Sequence, residues 1–271
     1  MIRILACFAL TVVVVASPSF AQTPAGDSLP AVSQVNGKIS LEGGATGSSG
    51  RSSAVGIAQG SLTAPLGHSF GVQVDGLAAT SYDSLSGGGA AHLFWRNPQI
   101  GLFGPVAALA GFRGATVGWY GAEGEIYAPM FTIGAYGGYQ DASLARLLAS
   151  GGFYHGRLTV YPIPDLALTV GGGQYAGRTL GNGRIEYQPD FVASRNVSFF
   201  ADGSAGDDSF YRVTGGVRLY FGPAKTLIRR HREDDPAPFT PGLWGNGGNG
   251  GTGTVERSGP VGCVYCESGC C

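Results

Sequence analysis

The feature that most constrains this chain is a period of two that begins near Gln34, lasts to Gly222, and keeps charged side chains on one parity. In "YRVTGGVRLYFG" (211–222), Val213, Val217 and Leu219 alternate with Arg212, Thr214 and Arg218. In "NGKISLEG" (36–43), Lys38 and Glu42 share one face while Ile39 and Leu41 take the other. Gln73 and Asp75 oppose Phe70, Val72 and Val74, and His92 and Arg96 oppose Leu93 and Trp95. Glu123 and Glu125 oppose Gly124 and Ile126, and His155 and Arg157 oppose Tyr154, Leu158 and Val160. Arg184 and Glu186 oppose Ile185 and Tyr187, and Asp202 opposes Phe199 and Ala201. Successive side chains of a strand point to opposite faces, so this is the signature of β-structure with one apolar and one polar face.

Twelve segments carry the pattern, near 33–43, 53–64, 68–80, 86–97, 99–110, 115–127, 130–140, 150–161, 165–175, 183–191, 195–205 and 209–222. Each is about ten residues, the length a tilted strand needs to cross a bilayer, and about twice the usual soluble strand. A soluble sandwich also alternates, but its wet face would carry more Lys and Glu. Here charged residues are only 13% of the chain and glycines number 48, against a usual charged share of about a quarter. A charge facing lipid costs about 2–4 kcal/mol at the midplane, which explains both the scarcity of charge and its segregation. An open sheet edge in lipid would leave backbone groups unpaired, so the expected fold is all-β: a closed antiparallel transmembrane barrel of about twelve strands with a disordered C-terminal tail. Two segments fit less well. Residues 53–64 place Gln59 with Val55 and Ile57, and "IGLFGPVAALAG" (100–111) is apolar on both faces and contains Pro105, a residue that marks bulges and edges. Ten strands plus an irregular segment is the alternative count.

The N-terminus has the form of a secretory signal: Arg3, an apolar run at 4–16, and small residues at Ser19 and Ala21 before Gln22. "ILAC" (4–7) is similar to a lipoprotein box, but Cys7 precedes most of the apolar run. The expected organisation is therefore a signal peptide (1–21), a flexible leader (22–32), the barrel (33–222), and a charged then Gly-rich periplasmic tail (223–271). "TAPLGH" (63–68), "RNPQ" (96–99), "YAPM" (127–130) and "PIPD" (162–165) read as short periplasmic turns. "GGATGSSGRSS" (43–53), "SYDSLSGGG" (81–89), "DASLARLLAS" (141–150) and "AGRTLGNG" (176–183) read as longer outer loops. An even strand number puts both termini at the same end, expected to be the periplasmic one.

The residues expected to line the lumen are Lys38, Glu42, Asp75, His92, Arg96, Glu123, Glu125, His155, Arg157, Arg184, Glu186, Asp202, Arg212 and Arg218. Setting the histidines aside, these are six cations and six anions. A selective pore biases the sign of its lining, whereas a balanced set reads as an internal ion-pair network. Trp119, Tyr136 and Tyr161 point inward by parity and fill a barrel of intermediate width, so the lumen is expected to be narrow or plugged. The functional expectation is a structural or passive small-solute channel role. Two alternatives stand beside it: an outer-membrane lipid-modifying enzyme, which needs a Ser–His pair on the outer wall, and a secreted soluble β-protein such as an adhesin. His68–Ser69 falls in an expected periplasmic turn and His155 faces inward. There is no G-x-S-x-G, H-E-x-x-H or P-loop, so no catalytic residues, cofactor or metal are expected. The net charge of −1 gives no reason to expect a nucleic-acid partner. Asn196-Val197-Ser198 matches a glycosylation sequon, a weak three-residue signal at a strand start.

After Gly222 the alternation stops, and "PAKTLIRRHREDDP" (223–236) reads as a solvated charge run, with peptidoglycan or lipid headgroups as its available partners. The chain ends in "CVYCESGCC" (263–271). In an oxidising compartment Cys263, Cys266, Cys270 and Cys271 are disulfide candidates with three pairings open, and the vicinal pair fits a tetrahedral metal site poorly. The stretch "GGVRLYFGPAKTLIRRHREDDP" (215–236) resembles the closing strand and post-strand segment of porin-like outer-membrane β-barrel proteins of alphaproteobacteria. The resemblance implies an outer-membrane location, surrounding membrane lipid, and a last-strand aromatic, Phe221, read by the barrel-assembly machinery. It implies no particular activity. The long tail departs from the pattern, because Phe221 would act from an internal position.

Overall fold

The protein is described by a computed structural model covering residues 29–81, 84–112, 115–142, 150–175, 178–191, 195–234 and 236–239. The signal segment and the cysteine cluster lie outside the described residues. The strands are β1 (Asn36–Ser48), β2 (Arg51–Leu66), β3 (Phe70–Ser81), β4 (Ser84–Asn97), β5 (Gly101–Phe112) and β6 (Ala115–Ala128). They continue as β7 (Phe131–Asp141), β8 (Gly151–Ile163), β9 (Leu166–Tyr175), β10 (Arg178–Tyr187), β11 (Val197–Gly206) and β12 (Phe210–Phe221), followed by helix α1 (Leu227–Glu233). Each strand pairs antiparallel with the next, and β12 returns to β1 from Gly37↔Phe221 to Gly47↔Tyr211, which closes the barrel. The start of β1 and the end of β12 lie at one mouth, here called proximal. The other is distal.

Side-chain alternation sorts the wall into two surfaces. The outer one carries Leu41 (64% exposed), Leu109 (63%), Ile126 (65%) and Val213 (60%) in its span. Exposed Phe70, Trp95, Phe103, Phe131, Tyr187 and Phe221 ring the proximal side, and Tyr120, Tyr139, Tyr154 and Tyr211 the distal side. Such aromatic girdles flank the apolar band of membrane barrels. Among the described residues, the only strand charge with outward parity is Asp141, the last residue of β7.

The segment containing Pro105 is a full strand, so the count is twelve rather than ten. Pro105 points outward, and the β4–β5 ladder has a gap there, between His92↔Val106 and Trp95↔Phe103. The missing N–H therefore removes a donor where no bond is made. The neighbouring Gly104 lets the two backbones close up, because a Cβ there would stand 2.0 Å from the Leu93 carbonyl oxygen. Both faces of β5 are apolar because both are used: Phe103 and Leu109 face outward, while Leu102 and Val106 pack inside. Val55 and Ile57 of β2 likewise point inward and cluster with Ala79.

The expected long outer loops are corrected. "GGATGSSGRSS" is mostly strand, since β1 runs to Ser48 and β2 begins at Arg51. Ser49 (φ 51°) and Gly50 (φ 76°) make the turn with both φ values positive, as a two-residue hairpin of type I′ requires. Small polar residues look like loop by composition, yet cross-strand pairing lets the ladder continue beyond the lipid band. The two longest connections, 142–150 and 188–196, sit at opposite mouths, so the expected alternation of long and short connections is absent.

The outer wall generates a direct test. Val217, flanked across the ladders by Leu41 and Phe199, faces outward near mid-strand. Val217→Arg is expected to lower stability by about 2–4 kcal/mol in lipid vesicles, whereas Val217→Leu should be near neutral. Denaturant unfolding of the vesicle-inserted protein measures both.

Candidate functional site: a filled lumen and its proximal plug

The inner surface concentrates the chain's ionic groups. All fourteen residues singled out by parity lie on it, eleven buried and three (Glu42, Arg157, Arg184) half-buried. Hydrocarbon outside leaves them nowhere else to go, and their proximity makes pairing possible. Glu186 accepts from Arg218 Nη1 (2.7 Å), Ser198 Oγ (2.6 Å) and Tyr220 Oη (2.7 Å). His92 bridges two carboxylates, Nε2 to Asp75 Oδ2 (2.9 Å) and Nδ1 to Glu123 Oε1 (2.6 Å). Arg157 pairs with Glu125, Arg184 with Asp202 at 2.6 Å, and Thr214 Oγ1 donates to Glu42 at 2.8 Å. His155 Nε2 meets Asn182 Oδ1 at 2.8 Å while its ring stacks on Tyr136. Arg96 and Lys38 reach the segments that flank the wall: Arg96 Nη1 donates to the Ala31 carbonyl (3.1 Å) and Lys38 Nζ to the Pro236 carbonyl (3.3 Å).

Aromatic side chains occupy the space between these pairs. Trp119 donates to Gln140 Oε1 (2.8 Å), Tyr136 and Tyr175 share a hydroxyl–hydroxyl bond (2.5 Å), and Tyr161 meets His231 Nδ1 (3.0 Å). Phe94, Phe153, Tyr175 and Phe210 are also inside. For Phe94 and Phe153 the same parity signal was present, since they share faces with His92 and His155. A partly open cavity of about 130 Å³ remains, bordered by Glu42, Arg184, Asp202, Arg212 and Pro238, with room for roughly ten waters.

Nothing in the alternation marks what closes the proximal mouth. The charge run is not a solvated coil. It forms α1, whose Leu227 is fully buried against Tyr161, Ala167 and Tyr220. Arg230 lies over the Tyr220 ring (4.6 Å) and donates to Gln188 Oε1, the Arg195 carbonyl and Asn196 Oδ1. Asn196, the sequon asparagine, is thus committed to this contact. Arg232 donates to the Ala128 (2.6 Å) and Phe131 (3.0 Å) carbonyls. Asp165 in the β8–β9 turn receives the Leu227 amide (3.1 Å). The inner end of the leader joins the same assembly: Val32 is buried with Phe94 and Leu102, and Ser33 N donates to the Glu233 carbonyl (3.2 Å). Of the expected leader, Ala31 and Val32 are buried and Leu29 is exposed. Residues 22–28 lie outside the described residues. Period-two reasoning missed the plug because seven helical residues carry no such period and their partners are scattered over the barrel rim.

A closed twelve-stranded wall with an apolar exterior, aromatic girdles and a polar filled interior is the fold of bacterial outer-membrane β-barrels. The structure is similar to that of the KdgM porin, at a TM-score of 0.53 and 11% identity, covering 68% of this chain and 99% of that one. The same values hold for the KdgM porin in complex with disordered oligogalacturonate. The Salmonella typhi outer membrane phospholipase (OMPLA) dimer with bound calcium matches at a TM-score of 0.47 and 11% identity over 75% of this chain and 96% of that one. No protein-family model matches the chain, and no curated protein matches it by sequence.

Two predictions follow from the network and the plug. Breaking the buried Glu186–Arg218 pair with Arg218→Met should cost about 3–5 kcal/mol, because it strands a carboxylate. Adding Glu186→Gln should recover part of that loss, as measured by denaturant unfolding in detergent. At α1, burial alone would raise the Glu233 carboxyl, but hydrogen bonds from Arg229 and Lys225 outweigh it and hold the group below its ordinary value. The neighbouring Asp234 bonds the same Lys225 (2.5 Å). A lowered folded-state value stabilises above the ordinary carboxylate range and is lost as pH falls through it. Amide exchange across 227–234 should therefore keep its protection from about pH 8 to 6 and lose part of it below about pH 4. The exposure of Arg229 keeps this effect modest.

Proposed function

We propose that this protein is an outer-membrane barrel whose role is structural and passive: a wall element enclosing a narrow small-solute path, held tight by its own charge network. The supporting observation is the lumen's balance. The interior holds six cations and six anions, three of the cations (Arg157, Arg184 and Arg218) ion-paired with Glu125, Asp202 and Glu186, so the lining presents no dominant sign to select an ion. The proximal mouth is read as periplasmic, with both termini on that side, an exported precursor cleaved before Gln22, and Phe221 as the aromatic presented to the assembly machinery. The post-strand resemblance supports an alphaproteobacterial origin, and peptidoglycan is a partner for the segment beyond the barrel.

Neither alternative draws support from a particular observation. A lipid-modifying enzyme needs its nucleophile and base on the outer wall, but His92 and His155 face inward and His68 lies in the β2–β3 turn. A secreted adhesin would expose its apolar outer belt to water, a large free-energy cost at about 25 cal/mol per Å².

Planar-bilayer recording of the purified full-length chain tests the reading. Small, infrequent current steps are expected. Large, stable openings would contradict a narrow and filled lumen. Carbonate-washed outer membranes should retain the protein, with a gel mobility that shifts on boiling, and release into the wash would refute the membrane location.

A further inference from the structure

Beyond α1, residues 236–239 lie inside the barrel. The Pro236 carbonyl accepts from Lys38 Nζ (3.3 Å) and Gln73 Nε2 (3.4 Å). The Phe239 amide donates to Asp75 Oδ2 at 2.9 Å. The Phe239 ring is 3% exposed. It meets Tyr136 edge-on at 4.9 Å, Phe153 at 5.9 Å and His92 edge-on at 6.4 Å. These partners come from β1, β3, β4, β7 and β8. They are braced independently of the segment: Asp75 by His92, Gln73 by Thr63 Oγ1 (2.8 Å), and Tyr136 by Tyr175.

The occupant suits such a place. In "PAPF" (236–239) the two prolines bring no N–H that needs a partner inside the barrel, and the Phe239 amide finds its carboxylate. The segment's order is borrowed from the barrel. Helix α1 has seven residues and no side-chain bond at its N-cap, Thr226, and so short a helix does not persist unaided in water.

We propose that the lumen contains a peptide-binding seat built from Lys38, Gln73, Asp75, His92, Tyr136 and Phe153, and that Pro236–Phe239 is its resident ligand. The class of ligand is a short extended peptide with a proline carbonyl and, three residues on, an aromatic side chain whose own amide is free to donate. On the channel reading of the preceding subsection, departure of this segment also opens the proximal half of the lumen.

The experiment compares the full-length protein with Phe239→Ala and Phe239→Leu in detergent, each first shown to be folded by heat-modifiable gel mobility. The first readout is trypsin cleavage at Arg229–Arg232, followed by mass. Removing a buried phenylalanine side chain is a large loss, so Phe239→Ala should speed this cleavage at least about tenfold, while Phe239→Leu stays near the parent rate. The second is anisotropy of a fluorescent Pro-Ala-Pro-Phe-Thr-Pro peptide. It should bind the Phe239→Ala protein, the alanine version of the peptide should not, and the parent protein should bind neither. Equal cleavage of parent and Phe239→Ala, or no discrimination between the peptides, overturns the seat. Bilayer conductance is read separately: if peptide binds the Phe239→Ala protein but no current appears, the seat stands and the channel reading falls.

Discussion

A hydrocarbon layer offers no hydrogen bonds, so every backbone N–H and C=O that crosses it must find a partner in the protein. For a chain of strands this leaves one solution, a sheet whose last strand returns to its first. The β1–β12 ladder provides that return across eleven residue pairs. Once the wall is closed, each strand has only two directions for its side chains, and they differ sharply in what they tolerate. Leu41, Ile126 and Val213 gain by facing outward. Lys38, Glu125 and Arg212 cannot follow them and crowd into a confined interior.

Crowding then dictates the interior. Ionic groups taken from water are tolerated when paired and further hydrogen-bonded, and the lumen meets that requirement in clusters: Glu186 with three donors, and His92 between two carboxylates. Aromatics brace these clusters, as Phe200 does beneath Arg184 (4.4 Å) and Arg218 (5.1 Å). The same chemistry receives the segments just before β1 and after β12. A rim supplying Asp165, Gln188 and backbone carbonyls can hold a basic helix, so α1 docks where a less polar mouth would have repelled it. Plug and wall are solutions to one problem, the disposal of charge away from lipid.

Much of the wall was legible residue by residue. Parity alone put Arg184 and Glu186 on one face and Ile185 and Tyr187 on the other, because strand geometry is local and strictly alternating. Legibility failed where an identity has two uses. Gly and Ser at 43–53 suit a loop or a water-exposed ladder, and only the partner strand decides. Pro105 weakens a strand unless the ladder already opens there, as it does opposite Leu93 and Phe94. The run at 223–234 reads as solvated because nothing in it announces the rim residues that Arg230 and Arg232 reach.

What the sequence determined by itself was the two-sided strand, its bilayer-crossing length and the side on which charge must lie, since these follow from local stereochemistry and the cost of burying charge in lipid. The tertiary structure alone decided which charges pair, how far the ladders extend past the membrane, and that residues 223–239 turn back to close the proximal mouth. Those outcomes depend on groups brought together from distant parts of the chain, such as Phe239 with Asp75 and Lys38 with Pro236. No local pattern encodes a contact whose two halves meet only after the barrel has closed.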